Sequence, residues 1–418
     1  QNRRDSLGML VVLLVIGICF VFWFYRKKLS YWEDRGIPGP KPEFFWGNLR
    51  QVWSYDRPRS LVLKEWTQTY GKIYGIQEGA RKMLVVSDLD MMQEILVKKF
   101  DCFYARARFP LERKEKGFDA HLIEARGAQW KRQRALGSHA FTNEAMKEIR
   151  KTVDSSARIL VQEVDRRANG GIVDITEYFQ EYTMHIICNI ALGKKDVKMF
   201  DNKYIPLVKG LFGRPMSNPL MAVSCLFPSL TDPFIRTMRT LSQYIPIPSS
   251  FLVLYRDLFA YINERKKQRE AGQISGGRDF IDMFLDAEVD GIDEMQGGKR
   301  LHPKEVLNMC IVFLIAGYET TASSLSYISY FLATHSEVQD KMVKEIDEVC
   351  PDEEIEYDQL RELNYMECAI RESLRHYPLG SVVVSRECMK DVDVCGYKFT
   401  AGDMIQTDTW SMHMDKEI

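Results

Sequence analysis

Between Val306 and Ser336 the chain carries one residue of the Asp, Glu, Lys and Arg class, Glu319. Pro303 suits the first turn of a helix, where its missing N–H is not needed. The stretch from Pro303 to His335 is apolar almost all round, which predicts a helix running through a core rather than along a surface. At ~1.5 Å per residue it is roughly 50 Å long. Gly317, Thr320, Thr321 and Ser324 recur at i, i+3, i+4 and i+7, a small polar stripe on one face. The Thr320 hydroxyl can bond the Ala316 carbonyl one turn back and loosen the helix there, while Gly317 leaves a gap. The helix thus carries a dent, two hydroxyls and one acid in its middle. The competing reading is close helix packing on small residues, with Glu319 in a salt bridge.

Composition narrows the function classes. Lys plus Arg number 57 against 58 Asp plus Glu, a net charge of −1, so the basic excess that grips nucleic acid is missing. No G-x-G-x-x-G, no G-x-x-x-x-G-K-[ST] and no H-E-x-x-H occurs, so the chain shows no phosphate cradle and no zinc-protease pair. The nine cysteines form no C-x-x-C and read as reduced thiols of a cytosol-facing body.

An uncharged run from Leu7 to Tyr25 ends in Phe20, Phe22, Trp23, Phe24 and Tyr25, followed by Arg26, Lys27 and Lys28. As a helix it spans roughly 28 Å, close to the bilayer core. The aromatics suit the headgroup level, and the cations favour the cytosolic side. The expectation is a retained single-pass anchor over 1–28 and a cytosolic body. Residues 29–50 include Pro38, Pro40 and Pro42 and read as a stiff extended spacer. Residues 51–418 form the body, mainly α with a small β region. Within it Gly71–Ser87 reads as a hairpin. Helical spacing covers Asp88–Lys99, Asn143–Arg167, Ile175–Leu192, Ser250–Ala271 and Asp358–His376. Residues Ile205–Pro248 show no long period and read as a lid, a membrane-touching surface or an irregular core segment. Val382–Val384 reads as strand.

Ala316-Gly317-Tyr318-Glu319-Thr320-Thr321 resembles the A-G-x-[D/E]-T-T signature of the long central helix of cytochrome P450 monooxygenases, and Phe313–Ser326 looks like the animal group that includes the drug- and steroid-oxidising 3A enzymes. The resemblance implies that this helix lies over a haem, with Ala316 and Gly317 beside it. Glu319 and Thr320 would guide protons to dioxygen. Glu372-Ser373-Leu374-Arg375 resembles the family's E-x-x-R, implying a buried structural ion pair. Alone this pattern is weak, because Glu163 and Arg166 repeat it. Arg386 resembles a haem-propionate ligand. Trp130 and Arg134 resemble the family's W-x-x-x-R, and Arg106, with Arg108 as an equal candidate, a further propionate contact.

The family also has a terminal F-x-x-G-x-R-x-C-x-G loop whose cysteine binds the iron. Arg386-Glu387-Cys388 supplies only part of it, with Val384 where Gly should be, so Cys388 is not expected to be the ligand. The expectation is that the axial cysteine lies beyond Ile418 and that the P450 fold is incomplete at its C-terminus. The implied activity is insertion of one oxygen atom from O2 into a lipophilic substrate. Electrons come from NADPH through a flavoprotein reductase, with cytochrome b5 as a further partner, at the endoplasmic reticulum membrane. The rival functions are a truncated non-catalytic isoform that binds apolar ligands or partners, and a haem-thiolate isomerase or synthase.

Overall fold

The computed structural model describes residues 2–54, 56–112, 117–168, 171–194, 196–211, 219–241, 250–273, 279–288, 300–352 and 354–417. In chain order the elements begin with α1 (Asn2–Leu29), α2 (Leu49–Val52), α3 (Arg59–Tyr70), β1 (Ile73–Glu78), β2 (Arg81–Val86), α4 (Leu89–Gln93) and α5 (Gly127–Ser138). Then come α6 (Asn143–Ala168), α7 (Ile175–Leu192), α8 (Tyr204–Lys209), α9 (Pro219–Leu226), α10 (Thr231–Leu241), α11 (Ser250–Glu270) and α12 (Phe280–Asp286). The last are α13 (Pro303–Thr334), α14 (Ser336–Val349), α15 (Asn364–His376), β3 (Ser385–Glu387), β4 (Val392–Val394), β5 (Tyr397–Phe399), β6 (Met404–Thr407) and α16 (Thr409–His413). They fall into two compact units, one of Gln1–Lys114, Arg214–Ile245 and Ser381–Ile418, the other of Glu115–Gly213 and Pro246–Gly380.

The first unit is built on a four-stranded sheet of order β1-β2-β6-β3, with a separate β4-β5 hairpin. β1 and β2 pair antiparallel from Ile73↔Val86 to Glu78↔Arg81. Gly79 in their two-residue turn has φ 62°, and a Cβ there would come 2.7 Å from the Cys225 carbonyl oxygen, so the turn requires glycine. The expected spacer over 29–50 is corrected here: its residues are docked on β1. Gly75 N–H donates to the Pro38 carbonyl at 2.8 Å. The Trp32 indole covers Gly75, whose missing side chain makes room for the ring, and donates to the Ile76 carbonyl at 2.9 Å. Prolines that cannot donate still accept, so a proline strap can lie along a strand.

Two further expectations change. Val382–Val384 is not strand: Ser381–Val383 closes a 3-10 turn, with Val384 N–H on the Ser381 carbonyl at 3.3 Å. The strand follows at Ser385–Glu387. Gln406 Nε2 takes the Ser381 carbonyl at 2.9 Å, so ladder pairing starts beyond it. The aperiodic stretch 205–248 contains α8, α9 and α10 in its described parts, while 212–218 and 242–248 lie outside the described residues. Pro219 opens α9 and Pro233 sits in the first turn of α10. There proline is compatible with a helix, although in the sequence it reads as a breaker.

The second unit wraps α13. Its core joins Met184, Ile187 and Leu192 of α7, Leu254 and Leu258 of α11, Phe280 and Phe284 of α12, and Leu307, Cys310, Leu314 and Tyr318 of α13. α13 is long and apolar enough to cross a membrane, but 56% of its apolar window is buried inside the unit. It is a core helix, as its composition predicts. The expected helix over 358–376 starts later, at Asn364, where the Glu345 carboxylate accepts from Tyr365 N at 2.7 Å and Met366 N at 2.9 Å.

Candidate functional site

The middle of α13 presents two faces. Toward α7, a Cβ on Gly317 would come 2.7 Å from Ile187 Cδ1 and 3.0 Å from its Cγ1. The absent side chain therefore admits α7, which corrects the reading of Gly317 as an open dent. Thr183 Oγ1 of α7 donates to the Tyr318 carbonyl at 3.0 Å. Glu319 also turns this way, accepting from Gln180 Nε2 at 3.2 and 3.4 Å. Among the described residues it makes no ion pair, so the salt-bridge alternative for this acid has no partner. On the other face Ala316, Thr320 and Thr321 are exposed. Thr320 Oγ1 donates to the Ala316 carbonyl at 2.6 Å, and Ser324 Oγ to the Thr320 carbonyl at 2.9 Å. Glu319 and Thr320 are neighbours in sequence but about 100° apart around the helix.

On α5 Trp130 is half-buried and Arg134 exposed, one turn apart. Beside them lies a cluster the sequence reading missed. Gln129 Nε2 at 2.8 Å, Arg132 Nη2 at 2.7 Å and Gln133 Nε2 at 3.2 Å all donate to Oε1 of the fully buried Glu305. The other carboxylate oxygen accepts from His302 N–H at 3.0 Å, closing a capping box at the start of α13. The available signal was an acid two residues after Pro303.

In the first unit, Glu387 N–H donates to the Ala105 carbonyl at 2.9 Å in an antiparallel bridge. The next residues along the two bridged segments are Arg106 and Arg386. Burial and the nearby Arg106 cation both push the Arg386 pKa down. Its guanidinium donates to the adjacent Ser385 carbonyl at 2.8 Å and, among the described residues, makes no ion pair. Arg108 is instead committed to Glu387 at 3.3 Å. A second cation beside the partly buried Arg386 favours an anion there.

Glu372 and Arg375 do pair, Nε to Oε2 at 2.7 Å and Nη2 to Oε1 at 2.8 Å, with His376 Nε2 3.2 Å away. The expected burial is corrected: their side chains are 56% and 41% exposed. α15 leaves this face in solvent, as α6 does for Glu163 and Arg166, paired at 2.6 Å. The hydrogen bond from Arg375 pulls the Glu372 carboxyl down to about 2. A lowered acid contributes stability that is present above the ordinary carboxylate range and lost as pH falls toward 2. Water screens most of it at this exposure.

Cys388 is buried among Phe103, Phe399 and Val394. Its Sγ donates to the Lys390 carbonyl at 3.0 Å, and burial pushes the thiol up to about 11. It is held as a neutral thiol, the opposite of what metal ligation needs. Among the described residues no group of three His, Cys, Asp or Glu side chains is placed to hold a metal ion.

Taken unit by unit, the exposed hydroxyl stripe of α13 and Trp130 with Arg134 on α5 in the second unit, and Arg106 beside Arg386 in the first, each have chemistry that suits the haem implied by the sequence. Haem is flat and apolar, with two carboxylates that suit guanidinium and indole donors. Residues 37–418 match the cytochrome P450 family. Among curated proteins of Caenorhabditis elegans, cytochrome P450 CYP13A4 is 38% identical over 433 residues, covering 98% of this chain and 82% of the relative. CYP13A3 is 38% identical over 432 residues and CYP13A5 37% over 429, each covering 98% of this chain and 82% of its own length.

Proposed function

The chain belongs to the cytochrome P450 family, and from that premise we propose that it is a membrane-anchored haem monooxygenase that takes electrons from an NADPH-dependent flavoprotein reductase and oxidises lipophilic substrates. Membership carries haem as the cofactor and oxidoreductase chemistry with O2 and a redox partner. When bound, haem supplies oxygen activation. The protein's own residues bind it, orient it and manage protons. Trp130, Arg134, Arg106 and Arg386 are assigned to its carboxylates. Cytochrome b5 is a second electron donor in this reading. Phe313–Ser326 supports a place near the drug- and steroid-oxidising animal group. The exposed apolar side chains of α1, including Val12, Ile16 and Phe20, support an anchor in the endoplasmic reticulum. Release of the intact chain by alkaline carbonate would remove that part of the proposal.

The observation that carries the reading is the split of the α13 pair: Thr320 on the open face and Glu319 against Gln180. With its O–H donated to the Ala316 carbonyl, Thr320 Oγ1 keeps lone pairs free to hold a water on the open side. Glu319, held by Gln180 and by no cation, is the acid that turns from the α7 side to resupply that water's proton. Thr320→Ala is therefore expected to keep NADPH consumption within about twofold of wild type while product per NADPH falls roughly 10²-fold or more, with peroxide rising. Unchanged product per NADPH across several substrates would make Thr320 a packing residue.

A further inference from the structure

We propose that Glu305 is a positioning residue that sets the rotation of α5 and so aims Trp130 and Arg134; the proposal rests on the haem reading above. The two helices meet along matching rows. On α13 the row is Glu305, Met309 and Phe313, spaced by four; on α5 it is Gln129, Gln133 and Gly137, also spaced by four. The far end of the contact is close but apolar and non-directional: a Cβ on Gly137 would lie 3.3 Å from Met309 Cε and 3.6 Å from Phe313 Cζ. The near end is polar and directional, with three donors of α5 on one buried carboxylate oxygen. Arg132 Nη1 adds a bond to the Arg300 carbonyl at 2.9 Å. Glu305 itself is immobilised from below by the His302 N–H, so the clamp is tied to the start of the core helix.

Trp130 and Arg134 each follow a clamp residue, Gln129 and Gln133, and are turned about 100° from them around the axis. Apolar contact at Gly137 resists separation of the helices but not rotation. At the ~5–6 Å outer radius of a helix, a rotation of roughly 20° moves a side-chain tip by about 2 Å. That is enough to lose a hydrogen bond. Without the directional end, α5 keeps its place but loses its aim.

The experiment uses the haem-loaded native protein and follows transfer of haem to an excess of a haem-scavenging apoglobin, alongside thermal unfolding. Arg134→Ala, Glu305→Gln, their combination, the milder Gln129→Ala and a core control, Phe284→Leu, are compared. Glu305→Gln is expected to speed haem loss about tenfold. In the Arg134→Ala background it should add less than about twofold, because residues acting through one another are not additive. Gln129→Ala should give a smaller change of the same kind and stands in where Glu305→Gln fails to fold. Phe284→Leu, destabilised to a similar Tm, should leave haem loss unchanged. Equal acceleration by Glu305→Gln or Gln129→Ala in both backgrounds would overturn the proposal, as would acceleration by the core control. If Arg134→Ala alone leaves haem loss unchanged, the propionate assignment itself is contradicted and the positioning role falls with it.

Discussion

Gly317→Val is expected to destabilise the protein by about 3 kcal/mol. A single added Cβ already reaches 2.7 Å from Ile187 Cδ1, and Ile187 is buried in the α7–α13 contact. Overpacking a close helix pair forces a side chain off its rotamer or the helices apart, at about 1–3 kcal/mol and occasionally more. The pair cannot separate cheaply, since Thr183 bonds the Tyr318 carbonyl and Gln180 bonds Glu319 across the same contact. Ile187→Ala should restore much of the loss in the double variant while being destabilising alone. Urea unfolding of the four proteins measures the coupling. Additive effects would place the valine elsewhere than against Ile187.

Arg265→Met is expected to lower stability by about 3–5 kcal/mol at neutral pH, the scale for removing one partner of a buried pair. Arg265 is buried and donates to Asp279 Oδ2 at 3.0 Å and Asp282 Oδ2 at 2.8 Å, joining α11 to α12. Asp282 is fully buried, and burial together with Asp279 already pushes its pKa up even with the arginine present. Removing the cation raises it further. A raised acid carries its full penalty above the folded pKa, and the penalty shrinks as pH falls from there and is gone below the ordinary carboxylate pKa. The check is the difference in urea midpoint between wild type and variant at pH 7 and near pH 4. A difference independent of pH would mean that the loss is packing, not charge.

Most of what could be read from the sequence lay in segments whose partner is generic. α13 was legible because a long helix with a mostly apolar surface needs only apolar neighbours, whichever they are, and Pro303 marked its start. The β1–β2 hairpin was legible because Gly79 and the flanking apolar runs are local signals. What depended on a specific partner was not. Gly317 reads as empty space until Ile187 is known to fill it. Glu305 reads as an ordinary first-turn acid, because its three donors lie far away in sequence on α5. The prolines of residues 38–42 read as a spacer, because nothing local shows that Gly75 offers its N–H to Pro38. Val382–Val384 misled in the opposite sense: β-branched residues suit a strand, but the Gln406 side chain occupies the Ser381 carbonyl where a ladder would begin. At the candidate site, residue types were legible while orientations were not. The sequence put Glu319 beside Thr320, yet only the packing of α7 turns one inward and leaves the other open. It offered Arg106 and Arg108 equally, and it did not show that Arg108 pairs with Glu387.

The most direct test is isotopic. Microsomes containing the natively expressed protein are supplied with NADPH, a flavoprotein reductase, a panel of lipophilic compounds and ¹⁸O2, and the products are analysed by mass. The account predicts NADPH- and reductase-dependent products carrying one ¹⁸O atom each, lost in Thr320→Ala as NADPH consumption continues. Product oxygen derived from water, or product formed without NADPH and the reductase, would contradict it.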